Sequence, residues 1–223
     1  MRESISAVAF DIDGTLYPNW RLYIRIIPFF LANLRLYMHY SAVRKILHRT
    51  APLPDFYAYQ AILLAERLHI SPKEARELIT SKVYDKLAVY FKKVKPYQNV
   101  EETFLRFRKA GLKLAILSDF PPEQKGDIWG VRGLSDVVLG SEECGALKPS
   151  SYPFGILSQE LGIPPERILY VGNSIRSDIE GARSAGMKTA YIMPLWRRLL
   201  GLKLKQADIS FGTYRQLANI VLE

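Results

Sequence analysis

The chain has 223 residues, which is enough for one large domain or for one domain with an inserted subdomain. Its 48% apolar and 24% charged residues are ordinary shares for a globular protein. The single cysteine, Cys144, excludes an intramolecular disulfide. The sequence contains no stretch of about 18 uncharged apolar residues, so no membrane-spanning helix is predicted. Because residues 1–10 also lack the features of a signal peptide, we expect a cytoplasmic protein.

The formal net charge is +9, and the excess of basic residues is concentrated in two stretches. Residues 14–54 contain no Asp or Glu, and a second basic stretch runs from Arg197 to Lys205. The positive electrostatic potential of such basic stretches attracts anions of any kind, including a phosphorylated substrate, nucleic acid or an acidic membrane surface. A solvated basic face without a partner is an equally open interpretation. We predict no specific nucleic-acid partner and at most a weak association with membrane surfaces.

Short apolar runs that end in polar residues alternate with helix-like segments along most of the chain. The runs predict buried strands at Ile5–Phe10, Leu112–Leu117, Val137–Leu139, Ile168–Val171 and Lys188–Met193. The helix-like segments are Val100–Ala110, Tyr152–Leu161 and Ile175–Ala185. Strands that alternate with helices favour a parallel sheet covered on both faces, with a ligand crevice at the carboxyl ends of the strands.

Residues 18–96 differ from the rest, because they contain no clear strand and are rich in aromatic residues. Apolar residues recur there at steps of three and four, the period of a helix, at Trp20, Ile24, Ile27, Leu31, Leu34 and Met38. Pro28 is expected to break or kink this helix, and Ser71–Pro72 is a good start for another. We predict three or four helices inserted directly after the first strand.

The apolar face of the first inserted helix has three interpretations. We expect it to form the core of the insertion, with the arginines outside in water. Alternatively, Arg21 or Arg25, which follow Gly14 closely in sequence, contact an anionic part of a substrate. Tyr17 is a further candidate for substrate selection, because its ring could stack on a planar substrate. The third interpretation is a membrane-surface or partner-binding face.

Two acids follow the first strand in the segment Phe10–Leu16, which reads FDIDGTL. Asp11 and Asp13 are two residues apart, and in an extended backbone such positions point the same way. Gly14 permits an unusual turn and a close approach of a ligand. Taken alone, this pattern is equally typical of a surface turn or a fragment of a calcium loop.

Three further polar clusters follow in order, each after an apolar strand or in a loop at the edge of one. Ser118 and Asp119 follow the second strand, Lys148 lies in the loop GALKP, and the segment Gly172–Asp178 follows the strand ILYV. Each cluster has an ordinary explanation as a turn or a helix start. Four clusters in this order are an improbable coincidence, and they predict one functional site.

With these four motifs, the chain resembles the haloacid dehalogenase-like hydrolase superfamily. The motifs are Asp11-x-Asp13-Gly14-Thr15, Ser118, Lys148 and the segment Gly172–Asp178, and the resemblance covers nearly the whole chain. It implies an α/β fold with a Rossmann-like parallel-sheet core formed by residues 1–16 and 97–223. Residues 17–96 would then be an α-helical cap subdomain inserted after strand 1.

The resemblance also implies a reaction, namely the Mg²⁺-dependent hydrolysis of a small phosphorylated metabolite through an aspartyl-phosphate intermediate. Asp11 would be the nucleophile, and Asp13 would act as general acid and then as general base. The phosphate-binding residues would be Ser118, Asp119, Lys148 and Gly14. The metal-binding residues would be Asp11, Asp13, Asn173 and Asp178, with oxygen ligands such as Mg²⁺ prefers.

One position departs from the superfamily pattern. Asn173 stands where an aspartate often follows the glycine, so we expect Asn173 and Asp178 to share the metal site. Asp13 speaks against a true haloacid dehalogenase, which usually lacks this second acid. Two alternatives stay open: a phosphomutase on the same core, and a non-catalytic protein whose basic cap binds an anionic partner. The substrate and the oligomeric state are not predicted.

Overall fold

The computed structural model describes residues 5–223, so the first four residues of the predicted core segment 1–16 lie outside the described residues. Its centre is a six-stranded sheet with the strand order β3-β2-β1-β4-β5-β6, in which every pair of neighbours is parallel. The strands are β1 (Ala7–Phe10), β2 (Lys113–Ser118), β3 (Val137–Gly140), β4 (Ile168–Gly172), β5 (Lys188–Ile192) and β6 (Ile209–Phe211). The predicted parallel α/β sheet is confirmed, whereas β6 was not predicted.

Helices cover both faces of the sheet and fill the interval between β1 and β2. They are α1 (Asn19–Ala32), α2 (Leu34–Leu47), α3 (Phe56–Leu68), α4 (Pro72–Leu78), α5 (Lys86–Phe91), α6 (Val100–Lys109), α7 (Ser151–Leu161), α8 (Gly181–Ser184), α9 (Leu195–Leu199) and α10 (Tyr214–Leu222). Short 3₁₀ turns lie at Pro122–Lys125, Arg132–Leu134 and Pro165–Arg167. A π-helical segment, Ile79–Asp85, joins α4 to α5, and a second one, Ile175–Glu180, precedes α8.

The alternation of side chains along β1 explains why the sheet is covered on both faces. Val8 and Phe10 pack into one hydrophobic cluster and Ala7 and Ala9 into another, and all four are fully buried. A strand that is apolar on both faces is typical of the centre of a parallel sheet. The central position of β1 sets Asp11, the next residue, at the carboxyl edge of the sheet between β2 and β4.

The helical segment, residues 17–96, agrees with the prediction of three or four helices, because α4, the π segment and α5 continue one another. The Ser71 hydroxyl and the Glu74 carboxylate form a reciprocal capping box at the start of α4, as the sequence predicts. Pro28 does not end α1, which continues to Ala32. Within residues 5–223, no helix is long and apolar enough to cross a membrane.

The expectation that the apolar face of α1 forms the core of the helical segment is wrong. Trp20, Ile24, Ile27, Leu31 and Leu34 are all exposed, and Leu31 keeps 63% of its accessible surface. The core of the segment is formed instead by α2, α3 and α4, with side chains such as Val43, Leu64 and Ala75. Leu22 is the buried residue of α1. A helical period identifies an apolar face but does not tell which surface covers it.

A buried polar network joins the helical segment to the sheet at Glu142, which follows β3. Arg44 on α2 forms an ion pair with Glu142, and the Tyr84 hydroxyl donates to the second oxygen of this carboxylate at 2.7 Å. Gln60 in turn donates to the Tyr84 oxygen at 2.8 Å. Burial raises the pKa of Glu142, and Arg44 acts in the opposite direction. The contact between the two parts of the chain is therefore a specific polar one.

Candidate active site

Asp11 lies directly after β1 and is almost completely buried. Its Oδ1 accepts a hydrogen bond from Lys148 Nζ at 2.8 Å, and its Oδ2 accepts one from Thr15 Oγ1 at 2.8 Å. The Thr15 carbonyl oxygen accepts a bond from the hydroxyl of Tyr214 on α10 at 2.7 Å. Both oxygens of the carboxylate are thus oriented by groups that are themselves held in place.

Lys148 reaches the same point from the loop that follows β3. Its Nζ donates to Asp11 and to Asp178, both at 2.8 Å, and lies 3.1 Å from the Tyr170 hydroxyl on β4. Asp11 and Asp178 raise the pKa of Lys148 well above its ordinary value although burial acts to lower it. The Lys148 backbone N–H donates to Asp119 Oδ1 at 3.1 Å, so the Asp119 side chain holds the lysine loop. Lys148 is therefore a fixed cation beside Asp11.

Asp13 has a separate set of partners. Its Oδ1 accepts a hydrogen bond from the Tyr17 hydroxyl at 2.6 Å, and its Oδ2 accepts one from Lys125 Nζ at 2.8 Å. Lys125 also donates to Ser118 Oγ at 3.1 Å, which places the Ser118 hydroxyl 3.5 Å from Asp13. Burial and the adjacent Asp13 raise the pKa of Tyr17, so the phenol stays protonated and donates a hydrogen bond to Asp13.

Lys125 is the site residue that sequence reasoning missed. It lies at the end of the 3₁₀ turn Pro122–Lys125, seven residues after Ser118. Its side chain is buried, and its ammonium group lies 5.1 Å from the centre of the Phe91 ring on α5. The only signal in the sequence was a lone lysine in a proline-rich loop near a strand end, which is a weak pattern.

The turn after Asp13 contains Gly14, which leaves room for the side chain of Asn173 at the site. Gly14 has a positive φ of 85°, and a Cβ at this position would lie 2.3 Å from Asn173 Nδ2. Asn173 Oδ1 lies 3.2 Å from the same Thr15 hydroxyl that donates to Asp11 Oδ2. Glycine is needed here both for the backbone conformation and for the close approach of the asparagine.

Asp178 organises the segment that carries Asn173. Its Oδ2 accepts hydrogen bonds from the backbone N–H groups of Asn173 at 3.1 Å and of Ser174 at 2.9 Å, while its Oδ1 pairs with Lys148. A Cβ on Gly172 would lie 2.3 Å from Cβ of Asp178, so this contact leaves no room for a larger residue. Both oxygens of Asp178 are engaged by the protein itself.

The arrangement has an excess of negative charge at the edge of the sheet. Three carboxylates, those of Asp11, Asp13 and Asp178, are bonded to two ammonium groups, those of Lys125 and Lys148. Burial raises the pKa of Asp11 to about 7, Lys148 opposes this shift, and Asp178 and Asp13 add to it. A cation at this point would favour the charged form of Asp11.

The predicted substrate-selecting residues lie close to this edge, and their roles stay predictions. Tyr17 is bonded to Asp13. Arg21 Nη1 donates to the carbonyl oxygens of Lys95 and Pro96, both at 2.9 Å, and lines a cavity that Gly14 and Asn173 also border. The guanidinium of Arg25 donates to the carbonyl oxygen of Arg21. Both arginines thus fasten the start of α1.

Comparisons with known proteins agree with this site. A family model described as haloacid dehalogenase-like hydrolase matches residues 5–186. The glyceraldehyde 3-phosphate phosphatase of Methanopyrus kandleri is 31% identical over a 203-residue alignment that covers 84% of this chain and 84% of the other. A phosphoglycolate phosphatase of Haemophilus influenzae is 23% identical over a 237-residue alignment that covers 99% of this chain and 100% of the other.

The comparison with solved structures agrees with this fold. The crystal structure of a HAD phosphatase from Thermococcus onnurineus matches with a TM-score of 0.64 and 24% identity, over 97% of this chain and 98% of the other, and this likeness shows the fold. Since the family model spans most of the sequence and the relatives named above are phosphatases, the chain belongs to the phosphatase branch of the haloacid dehalogenase-like hydrolases.

Proposed function

We propose that this protein is an Mg²⁺-dependent phosphohydrolase that acts on a small phosphorylated metabolite through an aspartyl-phosphate intermediate. The observation that carries the proposal is the different surroundings of two neighbouring carboxylates. Asp11 is buried against the fixed cation Lys148, whereas Asp13 is half-exposed and bonded to Lys125 and Tyr17. Two carboxylates in unlike environments are suited to two unlike roles, that of a nucleophile and that of a general acid and base.

In the first step, a carboxylate oxygen of Asp11 forms a bond to phosphorus while the bond to the leaving oxygen breaks. Asp13 gives that oxygen a proton. In the second step, water attacks the phosphorus of the aspartyl phosphate while the bond between phosphorus and the Asp11 oxygen breaks. Asp13 takes up a proton from the water, inorganic phosphate leaves, and the Asp11 carboxylate is restored. Lys148 and the Ser118 hydroxyl balance charge on the phosphoryl oxygens, and Lys125 holds Ser118 and Asp13 in register.

The residues present fit a magnesium ion. The Asp11 carboxylate and Asn173 Oδ1 both lie within hydrogen-bond distance of one hydroxyl, that of Thr15, and the site has an excess of negative charge. Among the described residues, no group of three or more His, Cys, Asp or Glu side chains is arranged to hold a metal. As the superfamily pattern implies, we propose that the ligands would be the Asp11 carboxylate, the Asp13 backbone carbonyl and, in place of the usual acid, Asn173 Oδ1, with water completing the shell. When bound, the ion neutralises charge between nucleophile and phosphate.

Asp178 takes a different role in this proposal. Because its two oxygens are bonded to Lys148 and to the backbone N–H groups of Asn173 and Ser174, it positions the cation and the metal ligand. Ligands of a metal site are commonly oriented by such outer groups. The uncharged Asn173 lowers the charge of the ligand set, and we expect a correspondingly weaker affinity for Mg²⁺.

Residues 17–96 are proposed to act as a cap over this site, inserted in a core formed by residues 1–16 and 97–223. Tyr17 contacts Asp13, and the Phe91 ring lies over Lys125, so both ends of the helical segment contact the catalytic group. Such caps exclude water and select the substrate. The names of the curated relatives, which include phosphatases of glyceraldehyde 3-phosphate and phosphoglycolate, support a small phosphate monoester.

The test is the release of inorganic phosphate from a chromogenic phosphate monoester, with Mg²⁺ and with a chelator. We expect turnover only with Mg²⁺ and none in Asp11→Asn. Asp13→Asn should accumulate a covalent phosphoryl group, detected by mass spectrometry as one added phosphoryl unit. Asp85→Asn, an identical change at an exposed position of the helical segment, should leave activity unchanged.

Two results would overturn the proposal. Wild-type protein without turnover over a panel of phosphorylated metabolites would favour the non-catalytic alternative. Transfer of the phosphoryl group to a different oxygen of the substrate, without release of inorganic phosphate, would identify a phosphomutase.

A further inference from the structure

Two short segments expose large apolar side chains that nothing in the described chain covers. We call them together the apolar rim. On the first helix and the start of the second, the exposed side chains are Trp20, Tyr23, Ile24, Ile27, Phe30, Leu31, Leu34 and Met38. On α9 and the residues after it, they are Leu195, Trp196, Leu199, Leu200 and Leu202, of which Leu199 keeps 76% of its surface. Scattered exposed apolar residues are normal, but contiguous ones mark an interaction surface.

The two segments of the apolar rim lie beside each other in the fold. The start of α1 and the start of α9 line one cavity of about 480 Å³, with Trp20 on one side and Leu195 on the other. Gly14 and Asn173 of the catalytic edge border the same cavity. The rim therefore flanks an opening on the catalytic side of the molecule.

The two stretches of sequence that carry the rim have a net positive charge. Residues 14–54 and residues 181–207 contain no Asp or Glu. In these two stretches, the exposed basic side chains include Arg35, Lys45, Arg49, Arg198, Lys203 and Lys205. Each segment also has an arginine over a tryptophan ring, Arg21 at 5.6 Å from the ring centre of Trp20 and Arg197 at 4.9 Å from that of Trp196.

We propose that the apolar rim docks on the surface of an anionic lipid bilayer. Exposed Leu, Ile and Trp side chains next to basic ones are the composition of helices that lie in the bilayer interface, where the apolar groups enter the acyl boundary and the cations face the headgroups. Tryptophan is enriched at this depth because its ring is amphipathic. Docking in this way turns the opening between Trp20 and Leu195 toward the membrane.

The charge distribution selects a bilayer over a second copy of the chain. A two-fold interface built on the rim would bring two segments that carry basic and no acidic residues against an identical pair, and like charges in contact repel. An anionic membrane offers the opposite charge over the whole surface, and each nearby Lys or Arg strengthens the attachment. The proposal does not depend on the chemistry of the active site.

Co-sedimentation of the full chain with vesicles tests the proposal. One set of vesicles contains phosphatidylcholine alone, and the other contains in addition about 30% phosphatidylserine. We expect binding to the anionic vesicles, weakened by added salt, and little binding to the neutral ones. Ile24→Glu with Leu31→Glu, and separately Leu199→Glu with Leu200→Glu, should lower the partition coefficient at least about tenfold.

The matched control is Ile62→Glu with Leu105→Glu, which adds the same charge at two exposed apolar positions outside the rim. It should bind like wild type. Thermal unfolding verifies that all variants fold, and turnover of a soluble phosphate ester, measured alongside, separates a failure to dock from a failure of catalysis. The proposal is overturned if wild type does not bind anionic vesicles, if the rim variants bind like the control, or if the rim proves to be buried in a stable dimer.

Discussion

Removing the cation from the buried pair between Arg44 and Glu142 should destabilise the protein strongly. Arg44→Met keeps the packing of the side-chain stem, but among the described residues it leaves Glu142 with the Tyr84 hydroxyl, at 2.7 Å, as its hydrogen-bond partner. Glu142 is 1% exposed, so bulk solvent does not screen the charge that is left behind. Breaking a buried pair from one side costs about 3–5 kcal/mol. This is a large share of the roughly 5–15 kcal/mol by which a domain is stable.

The loss should also depend on pH, because Glu142 can avoid a buried charge by taking up a proton. Burial raises the pKa of Glu142, and Arg44 opposes the shift, so the pKa rises further when Arg44 is removed. A carboxyl whose pKa is higher in the folded than in the unfolded chain stabilises the fold at low pH, and this contribution is lost as the pH rises through the folded value. Arg44→Met should therefore be less destabilised at about pH 5 than at about pH 8.

Urea unfolding followed by tryptophan fluorescence at both pH values measures the effect. The double variant Arg44→Met with Glu142→Gln removes both charges and should recover at least half of the lost free energy, because no buried charge is then left unpaired. A loss that is equal at both pH values and equal in the single and double variants would refute the reasoning. It would mean that side-chain volume, and not charge, decides the stability of this contact.

Three further changes have defined outcomes. Lys125→Met removes the ammonium group bonded to Asp13 and should lower kcat of phosphate-ester hydrolysis about 10²-fold with a small change in KM. Burial lowers the pKa of His48, so the unfolded chain binds a proton first and stability falls as the pH drops below about 6.5. His48→Gln should remove this part of the slope in a series of melting temperatures against pH. Gly172→Ala places a methyl group against Asp178 and should cost about 1–3 kcal/mol in urea unfolding, with loss of turnover.

Each of these outcomes has a control. A kcat of Lys125→Met within about threefold of wild type would remove Lys125 from the catalytic group. An unchanged slope in His48→Gln would show that another group titrates. Gly155→Ala on α7, where a Cβ meets nothing within 4 Å, should be neutral or stabilising. If Gly155→Ala and Gly172→Ala lose equal stability, contact with Asp178 is not the cause.

The strands and the polar residues at their ends could be predicted because both signals are local. An apolar run such as Ala7–Phe10 indicates a strand that is buried on both faces, without any knowledge of the neighbouring strands. The polar residue that follows the run then lies where the strand ends, at an edge of the sheet. The strand order could not be read in this way, since it depends on which strands meet in space. β6, with three residues, is too short to give a periodic pattern.

Lys125 was not predicted, and the preferred interpretation of the apolar face of α1 as core was wrong, for another reason. Lys125 reaches Asp13 only because the loop after Ser118 turns back over the edge of the sheet. A lysine in a loop does not indicate the course of that loop. The apolar face of α1 has the period of a core helix, yet Leu31 faces outward because α2, α3 and α4 fill the core without it. Periodicity reports amphipathicity, and only the tertiary arrangement tells what lies opposite.

The strand order has a consequence for the synthesis of the chain. β1 emerges from the ribosome before the other five strands of the sheet, and its two neighbours, β2 and β4, begin only at Lys113 and Ile168. At a translation rate of about 5–20 residues per second, β4 is synthesised on the order of 10–30 s after β1, and until then the edge of β1 that pairs with β4 has no partner. During that interval a strand made wholly of apolar residues has an unpaired edge, which is open to aggregation or to a chaperone. The bond from Tyr214 to Thr15, whose hydroxyl donates to Asp11, can form only after α10 has been synthesised.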